Sequence, residues 1–436
     1  MDLVPKPDQV VSAAGNVAHK VLYGGLADLR PMPRTLIDDG KLREVYHYRP
    51  RATVREQGDP VLLVTPLAAP AICFDLRRGC SLVEHLLAGG RPTYLVEYGQ
   101  VSFRDRSLGM EHWVEEVVPA AIREVSAHAG GRPVHVVGWS LGGIFSLLTA
   151  ANDPDLPIAS VTAVGTPFDV SQVPLVAPLR PLLNLNPTEG RGAITRAYQL
   201  MGGAPTPLVR WAFQLTSFQK VVTKPLAIVT HLDDADFLAQ LEAVDRFMDG
   251  MTAYPGRTFG QLYHRFVKGN VLKTGEVVLG DRTITLESIT APVLVFAGAT
   301  DGIAPVGAVR ALLPHLSSAE EVRFEIVPGG HLGMLTGRRA RGTTWEVLDE
   351  WLEQWSDRAT EPPAAEPAPT KTRAKAPAKN APAKKAAPRK APAKKAPVKR
   401  TATKKATGPA ASASKDAIGA NPDRRYGSGG SRSLAR

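Results

Sequence analysis

The chain has 436 residues, a net charge of +11 from 53 Lys and Arg against 42 Asp and Glu, and 44% hydrophobic residues. That supplies a large core and excludes a wholly disordered chain, while two cysteines, Cys73 and Cys80, exclude a disulfide framework and show no metal-ligand spacing. No basic-apolar-cleavage leader opens the sequence and no apolar run reaches the length of a membrane span, so a cytoplasmic protein is expected.

In chain order, an amphipathic helix is expected over residues 9–22, closed by Gly24-Gly25, within an N-terminal helical segment of residues 1–42. Residues 44–48 read as a first strand and residues 60–64 as a buried one, followed by the loop Thr65-Pro66-Leu67-Ala68. Residues 75–79 read as a turn. The next helix has Ser81 as N-cap, with Glu84 completing a capping box. A strand over 92–98 leads to an amphipathic helix over 111–125, kinked at Pro119. Val134-His135-Val136-Val137 is a strand that ends in Gly138-Trp139-Ser140-Leu141-Gly142, and an apolar helix follows. A strand over 159–164 ends at Gly165-Thr166-Pro167-Phe168-Asp169. Then the rhythm breaks for about 120 residues, with a proline-rich apolar start. Strands resume at 292–298 and 322–327, ending in Thr300-Asp301-Gly302 and Gly329-Gly330-His331, and residues 345–355 form a closing helix. Strands alternating with helices imply a mostly parallel sheet flanked by helices. The expected division is an N-terminal segment 1–42, a core of 43–169 and 290–358, a cap inserted at 170–289, and a tail from 359.

The tail holds the excess charge. Residues 361–436 carry 19 Lys and Arg against 4 acids, which leaves residues 1–360 at −4. Its Ala-Pro-Lys repeats lack apolar periodicity and read as disordered, and many lysines suit a polyanion such as nucleic acid, anionic lipid or polyphosphate. A solubilising tail without a fixed partner is the plainer alternative.

The chemistry centres on Gly138-x-Ser140-x-Gly142. At a strand-to-helix turn this spacing forms a nucleophile elbow, where side chains at the two glycines would collide across the turn. Ser140, Asp301 and His331 follow in the order Ser-Asp-His, each just after an expected strand, as in α/β-hydrolases. His331 would be the general base, Asp301 its orienting acid, and the oxyanion hole would use the Leu141 N–H with a second from Leu67 or Ala68. Asp301 taken alone reads more often as a turn residue, and Asp169 is a rival acid. Cys80 lacks an elbow, and both thiols read as reduced core residues. No cofactor or metal is called for.

The motifs resemble the polyhydroxyalkanoate synthase family of α/β-hydrolase fold, nearest the shorter-chain type that works with a partner subunit. The resemblance runs over about residues 44–355. It is carried by Phe74-Asp75-Leu76, Gly165-Thr166-Pro167-Phe168-Asp169, Tyr254-Pro255-Gly256-Arg257, Gly269-Asn270-Val271-Leu272 and Gly330-His331-Leu332-Gly333-Met334. It implies a cap domain, the roles of Asp301 and His331, and 3-hydroxyacyl or related acyl substrates. The family carries Cys at the nucleophile, where this chain has Ser140. A serine ester is the usual route to hydrolysis, so the first expectation is a serine acyl hydrolase acting on lipid esters or 3-hydroxyacyl substrates. The alternatives are a polymer synthase or acyltransferase using acyl-CoA, and a non-catalytic tether joining a lipid or polymer inclusion to nucleic acid through the tail. Association with inclusions or nucleoid, and a homodimer, accompany these readings.

Overall fold

The computed structural model describes residues 7–174, 176–177, 193–210 and 218–356. The proline-rich start of the expected cap lies partly outside them, and the expected disordered basic tail wholly so.

Eight strands form one sheet: β1 (Arg34–Gly40), β2 (Arg43–Tyr48), β3 (Val61–Val64), β4 (Thr93–Glu97), β5 (Val134–Trp139), β6 (Ile158–Val164), β7 (Val293–Gly298) and β8 (Val322–Val327). Their order is β1-β2-β4-β3-β5-β6-β7-β8. The β1–β2 and β2–β4 pairs are antiparallel, and all pairs from β4 to β8 are parallel. This mostly parallel sheet flanked by helices is the α/β-hydrolase fold expected from the sequence.

The central strands are buried on both faces, and their side chains divide with period two. Leu62, Val64, Val136, Val293, Val295 and Ala297 join a cluster with Trp113, Phe145 and Leu148. Val61, Leu63, Val137, Trp139, Leu294 and Phe296 join a second cluster with Phe74, Trp345 and Trp351 on the other face. The helix Leu141–Asn152 fills the first face; it is apolar nearly all round, and every residue but its last is buried.

Several expectations needed revision. The sheet begins at Arg34 rather than near residue 43: β1 is an exposed edge strand, with Leu36 45% exposed, and so lacks a clear apolar alternation. Residues 75–79 are not simply a turn, because Asp75–Arg77 pairs antiparallel with Cys80–Ser81. Ser81 does cap the next helix, Leu82–Ala88, accepting the Glu84 N–H at 3.0 Å. The Glu84 carboxylate instead accepts from the Gly79 N–H at 2.8 Å, so the reciprocal half of the box is re-aimed. At Pro119 there is no simple kink: residues His112–Val117 form a π-helical turn that runs into the α-helix Val118–His128. Proline lacks the N–H an α-helical ladder needs, and a π turn just before it absorbs the missing bond.

The segment expected as a cap enters between β6 and β7. Its helices include Ala193–Met201, Phe218–Thr230, Ala235–Asp249 and Gly256–Gln261. Its last part does not stand apart from the core. The hairpin Glu276–Leu279 with Arg282–Thr285 alternates exposed and buried residues, and Val277, Leu279, Ile284, Leu286 and Ile289 join the Trp113 cluster. Among the described residues no helix is long and apolar enough to cross a membrane.

Candidate active site

Ser140 closes β5 with φ 54° and ψ −119°, a left-handed conformation for a residue with a side chain. Such a turn stores roughly 1–3 kcal/mol and must be held by its surroundings. Three glycines allow this. A Cβ on Gly138 would lie 2.5 Å from the Gly142 carbonyl oxygen, one on Gly142 would run into the Val64 carbonyl oxygen, and one on Gly143 into the Thr166 hydroxyl. The first two match the expected collision across the turn. The third adds a contact with the loop after β6. The Ser140 N–H donates to the Val164 carbonyl at 2.8 Å, tying the elbow to the tip of β6.

The loops after β7 and β8 carry the other two residues. The Thr300 N–H donates to the Gly329 carbonyl at 3.0 Å, which fixes one loop against the other. Gly329 has φ 125°, and a Cβ there would lie 2.8 Å from the Met334 nitrogen. His331 and Asp301 are both buried, at 9% and 6% exposure, and His331 Nδ1 lies 2.8 Å from Asp301 Oδ2. The other carboxylate oxygen of Asp301 accepts the N–H groups of Ile303 at 2.8 Å and Ala304 at 2.9 Å. One Asp301 oxygen thus serves the turn while the other faces the imidazole. Burial raises the Asp301 pKa, but the adjacent His331 charge and hydrogen bond, with the two N–H donors, outweigh it and bring it below the usual carboxylate value.

The ring of His331 lies over Gly165, where an added Cβ would stand 3.4 Å from it. Gly165 is the residue after the one to which Ser140 is bonded, so histidine and serine converge on one strand tip. Nε2 of His331 is buried with no hydrogen-bond partner among the described residues, so the Ser140 hydroxyl does not close onto it here. In unliganded sites such bonds are commonly long and tighten with substrate.

Asp169 is otherwise engaged. It accepts from the Ser171 hydroxyl and, at 2.9 Å each, from the Gln172 and Asn270 amides, and pairs with Lys273 at 3.0 Å. Burial raises its pKa, yet these donors hold it far below the carboxylate range. It fastens the loop after β6 to Asn270 rather than facing His331. Cys73 and Cys80 are free and buried, and burial pushes the Cys73 thiol well up.

Leu67 and Ala68 are buried beside the elbow, and Ala68 takes φ 70°. Neither their N–H groups nor that of Leu141 are committed to backbone carbonyls among the described residues. The loop is held from outside: the Tyr98 hydroxyl donates to the Thr65 carbonyl at 3.0 Å, and the Thr252 N–H to the Ala68 carbonyl at 2.9 Å.

Two supporting residues escaped the sequence reading. Trp139 donates its indole N–H to the His331 carbonyl at 3.0 Å and sets its ring 5.0 Å from the imidazole. The aromatic residue inside the elbow motif was the available signal. Tyr98, at the end of β4, gave none.

No family model matches the chain. It is 28% identical over 312 residues to the poly(3-hydroxyalkanoate) polymerase subunit PhaC of Allochromatium vinosum, covering 71% of this chain and 85% of that one. It is 26% identical over 346 residues to the subunit of the same name from Thiocystis violacea, covering 79% and 95%. Among solved structures, a monoacylglycerol lipase from Paleococcus ferrophilus shares 18% identity at a TM-score of 0.43, over 69% of this chain and 97% of that one. The strand order is that of the α/β-hydrolase fold, and over most of its length the chain is similar to the polymerase subunits of the polyhydroxyalkanoate synthase family; it is an enzyme of the acyltransferase or hydrolase kind.

Proposed function

We propose that the protein is an acyltransferase of the polymer-synthase type, which takes acyl groups from acyl-CoA through an ester on Ser140. The observation that carries acyl transfer is His331, fixed by Asp301 through Nδ1 and left with a buried Nε2 that has no partner among the described residues, at the strand tip that holds Ser140. Ser140 Oγ attacks the thioester carbon while His331 takes the hydroxyl proton. The tetrahedral oxyanion accepts hydrogen bonds from the Leu141 N–H and from Leu67 or Ala68. Collapse breaks the C–S bond, and the thiolate leaves with the proton from His331. The hydroxyl of a 3-hydroxyacyl unit then attacks the ester, gives its proton to His331, and Ser140 Oγ recovers one on leaving.

Sequence reasoning alone placed hydrolysis first. The relatives, named as polymerases, favour the transferase. Hydrolysis stays as the second reading because Ser140 supplies oxygen where the family has sulfur. Incubation with a 3-hydroxyacyl-CoA separates the two: polymer together with released CoA supports the synthase, and CoA with free 3-hydroxy acid alone supports the hydrolase. Turnover that survives Ser140→Ala overturns both. Contact of residues 361–436 with a polyanion remains a separate part of the proposal, read from their charge.

A further inference from the structure

A cleft of about 500 Å³ opens where the loop after β4 meets the helix Gly256–Gln261. Arg106, Arg257 and Arg265 line it together with Tyr198, and no Asp or Glu is among its lining residues. Elsewhere several arginines face acids: Arg30 with Asp28, Arg43 with Asp38, Arg323 with Glu325. Among the described residues the one cleft arginine paired with a carboxylate is Arg257, with Glu111, which also accepts from the Gln261 amide. Arg106 donates to the Phe103 carbonyl and Arg265 to the Val278 carbonyl, so both guanidiniums are oriented by neutral groups and keep their charge. Like charges converging on a concave wall repel unless an anion sits between them, and guanidinium forks match phosphate oxygens.

The cleft's place points to the kind of anion. Its two walls are joined by backbone bonds from Arg257 N–H to the Arg106 carbonyl at 2.8 Å and from Thr258 N–H to the Leu108 carbonyl at 3.1 Å. A chain of packed aromatic contacts links it to the elbow loop. Tyr198 lies 5.5 Å from Phe259, Phe259 lies 6.4 Å from Tyr254, and Tyr254 packs with Ala68 in the loop beside Ser140. A ligand with phosphates at one end and an acyl thioester at the other would run along this wall from the cleft to the elbow loop.

We propose that the cleft binds the phosphates of a nucleotide-linked acyl donor, the adenosine 3′,5′-bisphosphate end of acyl-CoA, while the thioester reaches Ser140. This rests on the acyl-CoA reading above. Tyr198 offers a ring face and Gln199 an amide to the nucleoside.

The test uses the full chain, so the basic tail contributes equally to wild type and variants. Calorimetry with adenosine 3′,5′-bisphosphate should show the Kd rising roughly tenfold or more in Arg106→Ala/Arg265→Ala, since each lost charged hydrogen bond counts for about that much. Arg106→Ala alone, an exposed change, should give a smaller rise and guards against misfolding of the double variant. KM for acyl-CoA should rise in parallel, with turnover of an acyl N-acetylcysteamine thioester, which lacks phosphates, unchanged. Equal Kd values in wild type and both variants overturn the proposal, as does inorganic phosphate binding as tightly as the nucleotide. Acyl-CoA turnover with an unaltered KM in the variants sinks the cleft and leaves the transferase. Bisphosphate binding at the cleft without acyl-CoA consumption sinks the transferase and leaves the cleft.

Discussion

Two histidines are buried on this sheet, one at each end of β5's neighbourhood, and their partners differ in kind. His135 sits at the amino end of β5, fully buried, with Nδ1 2.8 Å from the Ser160 hydroxyl and Nε2 3.1 Å from the Ser356 hydroxyl. His331 sits at the carboxyl edge with a carboxylate on Nδ1 and nothing among the described residues on Nε2. A hydroxyl can donate or accept, so two of them satisfy a neutral ring completely. A carboxylate only accepts, so it fixes the proton on Nδ1, leaves Nε2 as the base and steadies the cation formed when a proton arrives. Burial alone does not make a histidine reactive. One anchored nitrogen and one spare nitrogen do.

The strongest way to break this contrast is to remove each ring. His331→Ala should lower kcat roughly 10⁴-fold or more, judged by thioester turnover. His135→Asn should leave kcat within about twofold and cost about 1–3 kcal/mol in urea unfolding through its hydroxyl partners. Similar kinetic losses from the two would erase the distinction. Next, Asp301→Asn should lower kcat roughly 10³–10⁴-fold by freeing the tautomer. The Asn carbonyl can still accept from Ile303 and Ala304, so the melting temperature should barely move.

The elbow itself supplies a third test. Gly142→Ala places a methyl against the Val64 carbonyl and within 2.9 Å of Thr65, so it should destabilise by roughly 1–3 kcal/mol and depress turnover as Ser140 shifts. A fully active, equally stable variant would contradict the packing account. A last test is a pH slope in stability, with no change in catalysis, from His135. Burial, helped by the charges of Arg91 and Arg132, pushes its pKa from 6.5 down to about 3. The unfolded chain therefore binds the extra proton first. The stability is full above pH 6.5 and falls as pH drops from there toward 3, by about 1.4 kcal/mol per unit from this group. His135→Asn should flatten that part of the curve, measured by chemical unfolding at graded pH.

What was legible in the sequence follows the same division between local and tertiary causes. The run from Val134 through Ser140 into the apolar helix shows itself because strand, glycine turn and helix are contiguous and each leaves a local pattern. The order of Ser140, Asp301 and His331 shows because each follows a strand. Their joining does not show: the Trp139 indole on the His331 carbonyl and the Tyr98 hydroxyl on Thr65 are contacts between distant segments. β1 was hidden because an exposed edge strand needs no apolar alternation. The π turn before Pro119 was hidden because it preserves an amphipathic pattern while changing only the hydrogen-bond ladder. The hairpin of residues 276–285 was read as cap because its burial against the Trp113 cluster is set by neighbours far along the chain.

The central claim is that Ser140 oxygen carries the acyl group. Rapid quenching of the protein with a 3-hydroxyacyl-CoA, followed by peptide mass spectrometry, tests it directly. The account predicts an acyl adduct on the peptide bearing Ser140, present in wild type, longer-lived in His331→Ala if formed at all, and absent in Ser140→Ala. An adduct on Cys73 or Cys80, or turnover with no adduct at Ser140, would contradict it.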